Sequence, residues 1–369
     1  MKMTRVLVNG WLSLLSIFLC IQTGCSIYIS PEGNLENRAD IDLIDPNDGP
    51  YSIQVIRRSN GLRDYIWEIE SKIEQQKASR VEYHNLYSTM RSIVVTGKVV
   101  SGNSKYPVVL DTGASQAIFV EVNHILENKL PIYPMQTGRF DFNGHRLGLC
   151  HLHKLRIGNA TLVDWPCLYL EPKRKLRLFG VSIANDTLKD NIIIVGLPAL
   201  REFKYIMFDG VNREAQFSLN ETFKPNQKEL WMKYPFSIEE DFHGNAFLFV
   251  ELTVAGQQTE LQLDTGSGRG LAISNRLWKQ IRGKIIGASL RKDKELYPYI
   301  GKLTCRKGII PEIEFGNRKI HNACISIFPN DSPLMQGCQG LVGMQYFEDT
   351  IMVLDFENNF MWVKNLQVL

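Results

Sequence analysis

Short apolar runs separated by Gly, Asn and Asp dominate the chain from about residue 89 onward. In the first half, Ile93–Val99 turns through Ser101–Asn103 into Pro107–Leu110. In the second half, Phe247–Val254 turns into Thr259–Leu263 in the same way. Strand-length apolar runs bounded by turn residues are typical of an all-β structure. The pattern therefore predicts a β-rich fold over most of the chain.

The two halves also carry the same landmarks in the same order. Each strand-turn-strand unit ends in Asp-Thr-Gly, at Asp111–Gly113 and at Asp264–Gly266. Two aliphatic residues and a Gly follow later in each half, ending at Gly196 and Gly343, and a closing hairpin comes after each. A match of several landmarks in register predicts two homologous β-barrel lobes.

A short amphipathic helix is predicted ahead of the first half, over residues 62–78. Leu62, Ile66, Ile69 and Ile73 lie at spacings of four, three and four residues, which places them on one helical face. Charged residues of both signs fill the other faces. We therefore expect this helix to pack on the folded part of the chain rather than lie on a membrane surface.

A secretory signal is predicted at the N-terminus. Lys2 and Arg5 precede an apolar stretch, Trp11–Ile21, that is too short to span a bilayer. The Thr-Gly before Cys25 resembles the lipobox of bacterial lipoproteins, although Gln22 stands where Leu is usual. The resemblance implies a lipid on Cys25 and export as a bacterial membrane lipoprotein facing the periplasm or cell exterior. A plain cleaved signal is the alternative.

These patterns divide the chain into segments. Pro225 and Pro235, together with several acidic residues, mark a linker between the two halves. The predicted segments are a signal peptide at 1–24, a tether with the amphipathic helix at 25–88, an N-terminal lobe at 89–223, a linker at 224–244 and a C-terminal lobe at 245–369.

The composition agrees with this division and narrows the partners. The chain has 369 residues, of which 44% are hydrophobic, and this is room for two domains of about 150 residues each. Lys and Arg number 42 against 39 Asp and Glu, which argues against a nucleic-acid-binding protein. We expect a monomer, because two complete lobes in one chain remove the need for a homodimer.

Asp111 and Asp264 are the candidate catalytic residues. Two carboxylates held close together share one proton, because both cannot ionise cheaply, so one acts as a base and the other as an acid. Such a pair can activate a water and protonate a carbonyl oxygen, and no cofactor is expected. Gly113 and Gly266 would let the backbone approach closely in each tight turn.

These motifs resemble those of the aspartic peptidases of the retropepsin and pepsin clan. The resemblance covers both β-rich halves and implies a two-lobed endopeptidase with its active cleft between the lobes. It implies that Thr112 and Thr265 hydrogen-bond across the lobes and that Gly196 and Gly343 pack under the Asp loops. A peptide or protein is the implied substrate. A non-catalytic peptide-binding or regulatory lipoprotein that retains the fold is the alternative.

The two Asp loops differ at the third residue after the Asp, which is Ala114 in one and Ser267 in the other. In pepsin-like members a hydroxyl at this place donates to the neighbouring carboxylate, which would lower the pKa of Asp264 relative to that of Asp111. We therefore expect Asp264 to carry the charge and Asp111 the proton. The alternative is that Ser267 faces elsewhere.

Each half also contains a candidate flap, a hairpin that would cover the cleft. The first runs from Gly138 to Leu149 with Asn143-Gly144, a strong hairpin turn, at its tip. The second runs from Tyr297 to Leu303.

Four cysteines occupy corresponding places in the two halves. In an exported chain, one matched pair per half predicts a disulfide between Cys150 and Cys167 and another between Cys305 and Cys324. Four buried thiols are the alternative.

A metal site is not predicted from the sequence. His151 and His153 share one face of a strand, but no second cluster at ligand spacing accompanies them. We expect a solvent-facing strand edge at these residues.

Overall fold

The fold is known from a computed structural model. The residues it describes are 39, 42–43, 52–57, 63–68, 70–84, 93–100, 104–133, 141–142, 145–170, 192–240, 246–297, 301–335 and 337–364. The predicted signal at 1–24, the lipidation candidate Cys25 and the flap turn Asn143-Gly144 lie outside them. No helix within the described ranges is long and apolar enough to cross a bilayer.

The protein is an all-β structure, as the sequence pattern predicts. Strands make up most of the described residues, with a few short helices between them. The strands that precede the first half are β1 (Ser52–Arg57), β2 (Arg63–Glu68) and β3 (Lys72–Gln75).

The predicted helix over residues 62–78 is wrong, because β2 and β3 form within this segment. β2 pairs antiparallel with β1, and β3 pairs antiparallel with a strand of the first half, Ile73 lying opposite Leu162. The Gln75 side chain adds hydrogen bonds to the backbone of Phe217 at 3.0 Å and Leu219 at 2.8 Å. Pairing with existing strands satisfies the backbone better than a short isolated helix, which is marginal in water.

The first half contains ten strands and two short helices within the described residues. They are β4 (Ser79–His84), β5 (Val94–Val99), β6 (Lys105–Asp111), β7 (Ile118–Glu121), α1 (Val122–Asn128), β8 (Asp141–Phe142), β9 (His145–Ile157), β10 (Ala160–Leu170), β11 (Ile193–Gly196), α2 (Leu197–Leu200), β12 (Tyr205–Asp209) and β13 (Glu214–Ser218).

The second half repeats this order. Its strands and α-helix are β14 (Trp231–Glu240), β15 (Ala246–Val254), β16 (Gln257–Asp264), β17 (Leu271–Ser274), α3 (Asn275–Ile281), β18 (Ser289–Tyr297), β19 (Gly301–Phe315), β20 (Arg318–Phe328), β21 (Gly340–Gly343), β22 (Ile351–Asp355) and β23 (Phe360–Lys364). The described 3-10 helices are Lys228–Leu230, Arg282–Lys284, Pro333–Met335 and Met344–Phe347.

The strand that carries each Asp is central in its sheet. β6 lies between β5, which is antiparallel to it, and β11, which is parallel. β16 lies between β15 and β21 with the same directions. Leu110 and Leu263, the residues before each Asp, are almost completely buried. Two buried strands with equivalent neighbours in their own halves therefore end at the two Asp residues.

A six-stranded sheet joins the halves, with β12 and β22 paired at its centre. β13 and β23 flank this pair, and β4 and β14 follow on the outside. The segment predicted as a linker, 224–244, thus contains a sheet strand, β14. Pro235 suggested a break, but it lies where β14 passes from β23 to β15, between the buried Tyr234 and Phe236.

Candidate functional site

Asp111 and Asp264 end β6 and β16, and the structure brings their two loops together. The contact is a reciprocal set of hydrogen bonds between Thr112 and Thr265. The Thr112 hydroxyl donates to the carbonyl of Leu263 at 2.7 Å and accepts from the backbone N–H of Thr265 at 3.1 Å. The Thr265 hydroxyl donates to the carbonyl of Leu110 at 2.7 Å and accepts from the N–H of Thr112 at 3.0 Å.

Both threonines are completely buried, so these four hydrogen bonds are shielded from water. Each hydroxyl serves as donor and acceptor toward the opposite strand end, and neither half could satisfy it alone. The bonds fix the two Asp loops relative to each other, as the resemblance implies for Thr112 and Thr265.

Gly113 and Gly266 bring each loop against the opposite carboxyl group. A Cβ at Gly113 would lie 2.6 Å from the carboxyl carbon of Asp264 and 2.7 Å from its Oδ1. A Cβ at Gly266 would overlap the carboxyl group of Asp111. A side chain at either position would push the carboxyl groups out of place, so the close approach requires Gly at both.

Gly196 and Gly343 pack against the two Asp loops in equivalent ways. The N–H of Leu197, after Gly196, donates to the carbonyl of Ala114 at 3.0 Å. The N–H of Met344, after Gly343, donates to the carbonyl of Ser267 at 2.8 Å. A Cβ would lie 2.7 Å from the first of these carbonyls and 2.5 Å from the second.

Burial raises the pKa of both Asp carboxyl groups. For Asp111, hydrogen bonds from Asp264 and from backbone N–H groups oppose the rise; those of Gly113 and Ala114 reach its Oδ1 at 2.8 and 3.2 Å. For Asp264, the charge of Asp111 and the hydrogen bond to it raise the pKa well above the usual range. The pair therefore holds one proton between two unlike sites.

The proton favours Asp264, which is the opposite of the sequence-based expectation. The Ser267 hydroxyl accepts from the N–H of Arg269 at 3.4 Å, and the group of Ser267 that stabilises the charge on Asp264 is its backbone N–H. Asp111 collects more hydrogen bonds from N–H donors, which stabilise its charged form. The expectation considered one hydroxyl and left out these backbone donors.

Arg269 is a site residue that the sequence pattern did not single out. Its positive charge lowers the pKa of Asp264, and its guanidinium pairs with Glu295 on β18. Glu295 is 9% exposed and also accepts from the hydroxyl of Ser326 at 2.7 Å. A basic residue five positions after an Asp in an Asp loop was the available signal.

The candidate flaps correspond to two hairpins. β8 pairs with β9 in the first half, and β18 pairs with β19 in the second. The residues at the two tips, 143–144 and 298–300, lie outside the described part of the chain. Glu295 lies near the end of β18, so the second hairpin contacts the Asp264 loop through Arg269.

The two predicted disulfides have different outcomes. Cys150 and Cys167 are direct cross-strand partners, and both are thiols in the structure, so a disulfide between them stays a prediction. Cys324 lies opposite Ile309, four residues along β19 from Cys305. Four residues of strand span about 13 Å, which is beyond the reach of a disulfide. The predicted pairing of Cys305 with Cys324 is wrong.

Known proteins offer a distant structural likeness. No family model and no curated protein matches the sequence. Among solved structures, the chain is similar to basic 7S globulin from soybean at 10% sequence identity and a TM-score of 0.45. The likeness covers 78% of this chain and 95% of that chain. It says nothing about the chemistry of the site.

Proposed function

We propose that this protein is an aspartic endopeptidase, with Asp111 and Asp264 as its catalytic pair. The observation that carries the proposal is the reciprocal hydrogen bonding of Thr112 and Thr265, which holds two carboxyl-bearing loops against each other. The similarity of the motifs to those of the retropepsin and pepsin clan supports the same assignment.

The unlike pKa values give each carboxyl group a role. Asp111, the charged member, takes a proton from a water that attacks the carbonyl carbon of the peptide bond. Asp264, the protonated member, donates to the carbonyl oxygen as it gains charge. When the tetrahedral intermediate collapses, the proton now on Asp111 passes to the leaving nitrogen, Asp264 takes back a proton from a hydroxyl group of the intermediate, and the pair again holds one proton.

Peptide cleavage by the purified protein tests the proposal. A proteome-derived peptide library is incubated with the wild type between about pH 3 and 8, where carboxyl pairs titrate, and the cuts are found by mass spectrometry. Asp264→Asn should slow cleavage by about 10²- to 10⁴-fold. Asp331→Asn, at an exposed residue after β20, is the matched control and should cleave like the wild type.

Cuts made equally by the Asp264→Asn protein would come from a contaminant and contradict the assignment. If the wild type makes no cuts at any pH but binds peptides, the chain is a peptide-binding protein that retains the loops.

We also propose that a lipid on Cys25 anchors the protein to a bacterial membrane, on the side away from the cytoplasm. The support is the sequence around Cys25, which resembles a lipobox. Cys25→Ala should move the protein from the membrane fraction to the soluble fraction of the host cell. Unchanged fractionation would contradict the anchor.

A further inference from the structure

Two neighbouring strands of the first half bring three potential metal ligands together outside the Asp loops. His151 and His153 lie two residues apart on β9, and Asp164 lies on β10. Oδ1 of Asp164 is 3.4 Å from Nε2 of His151 and 3.5 Å from Nδ1 of His153. One ligand atom from each residue lies within 4.8 Å of the others.

The two distances from Asp164 fit a tetrahedral zinc ion. Zinc binds imidazole nitrogen and carboxylate oxygen at about 2.0 to 2.2 Å, which places neighbouring ligand atoms about 3.3 to 3.6 Å apart. We propose that His151, His153 and Asp164 form a Zn²⁺ site, with water in the fourth position. Two imidazoles and one carboxylate are a ligand set that suits zinc.

The backbone at Asp164 is strained where the site would form. Its φ of 55° is in the left-handed region, which residues other than Gly rarely adopt. The residues on either side hold it there, since Val163 pairs with Lys154 and Trp165 pairs with Leu152 across the strands. The carbonyl of Asp164 also accepts from the hydroxyl of Ser71 at 2.8 Å.

Burial and charge at the cluster also favour a cation. The His151 side chain is fully buried, and its Nε2 faces Oδ1 of Asp164 at 3.4 Å. His153 and Asp164 are 57% and 37% exposed, which gives an ion and a water access from solvent. The nearby ammonium of Lys72 is paired with Glu74 at 2.9 Å.

The expected solvent-facing strand edge is therefore wrong for His151 and right for His153. Sequence spacing placed the two histidines on one face but could not supply Asp164, which comes from the neighbouring strand. The third ligand becomes visible only from the pairing of β9 with β10.

Zinc titration of the tag-free protein by calorimetry tests the site, with Zn²⁺ alone as the probe. We expect one Zn²⁺ to bind at the cluster, and we expect His153→Ala and Asp164→Asn each to weaken binding by about tenfold or more. His321→Ala is the matched control. That histidine is 61% exposed, lies 3.5 Å from the carboxylate of Glu312 and should not contribute to binding.

Two further readouts distinguish this site from zinc bound at cysteine thiols or at scattered surface groups. Zn²⁺ should raise the thermal midpoint of the wild type and the His321→Ala protein, but not that of the two ligand variants. Co²⁺ in place of Zn²⁺ should show nitrogen and oxygen ligation without a thiolate charge-transfer band. The proposal is overturned if the wild type binds no zinc, if the ligand variants bind it equally well, or if cobalt reports thiolate ligands.

Discussion

The two Asp loops are alike in their scaffold and unlike in their charge. Each has a buried Thr that hydrogen-bonds to the opposite strand end, and each has a Gly against the opposite carboxyl group. The position five residues after the Asp differs, because it is Gln116 in the first loop and Arg269 in the second. Only the second loop is connected by an ion pair to its hairpin, among the residues described.

This difference teaches that geometry and electrostatics are set by separate residues. Symmetric positions hold the carboxyl groups together, whereas the asymmetric Arg269 acts on the charge of Asp264. Variants at symmetric positions should therefore act alike in both loops, and variants at asymmetric positions should act on one carboxyl group.

Among the residues that support the carboxyl groups, the largest effect is expected from Gly113→Ala and Gly266→Ala. Each new methyl group would displace the opposite carboxyl group, and a misplacement of about 1 Å can cost about 10²-fold in rate. Peptide cleavage should fall by at least that factor in both. Gly283→Ala is the control, because nothing lies within 4 Å of a Cβ built there. If only one of the two variants lost peptide cleavage, the two glycines would not have equivalent roles.

The next effect is on stability, from Thr112→Val and Thr265→Val. Each change leaves a buried carbonyl and a buried N–H of the opposite loop without a partner, at about 1 to 3 kcal/mol per group. We expect each variant to lose about 2 to 6 kcal/mol of unfolding free energy in urea. Thr→Ser at the same positions keeps the hydroxyl and should restore most of it. Unequal losses would show that one Thr matters more.

Arg269→Gln gives the second loop the residue type of Gln116 in the first loop, and it should change the pH profile of peptide cleavage. Without the positive charge, the pKa of Asp264 rises, so its proton is kept to higher pH. The high-pH limb of the kcat/KM profile should move to higher pH. Arg291→Gln, at an arginine whose side chain is 80% exposed, should leave the profile unchanged. If the limb does not move in Arg269→Gln, the charge of Arg269 does not act on the pKa of Asp264.

The smallest effect is the pH dependence of stability. The pKa of Asp264 is raised in the folded protein, so the folded state binds its proton more tightly than the unfolded state. The stability from this proton is complete below the unfolded pKa of about 3.9 and is lost as pH rises through the folded pKa. Asp264→Asn should be more stable than the wild type at neutral pH. Equal thermal midpoints there would contradict the raised pKa.

Local patterns were enough to predict much of the fold. The strands before Asp111 and Asp264 are recognisable because each is a short apolar run closed by turn residues. The strands in segment 62–78 are not recognisable in this way, since Leu62, Ile66, Ile69 and Ile73 fit a helix when the segment is considered alone. β2 forms by pairing with the preceding β1, and β3 depends on β10, which lies far away in the sequence.

The residues of the site also fall into those that the sequence reveals and those that only the structure reveals. The Asp, Thr and Gly residues of both loops belong to contiguous motifs, so the sequence identifies them directly. Glu295, the partner of Arg269, and Asp164, the neighbour of the two histidines, come from other strands, and no spacing reveals these pairings. The failed pairing of Cys305 with Cys324 has the same origin, because matched order does not fix strand register.

The threonine contacts also constrain when the site can form. Thr112 and Thr265 are 153 residues apart, so the ribosome must release the second loop before the first can complete its hydrogen bonds. β12 likewise pairs with β22, which is synthesised much later than β12. Contacts this distant in sequence slow folding. A nascent chain therefore carries no assembled carboxyl pair until the second loop has left the ribosome.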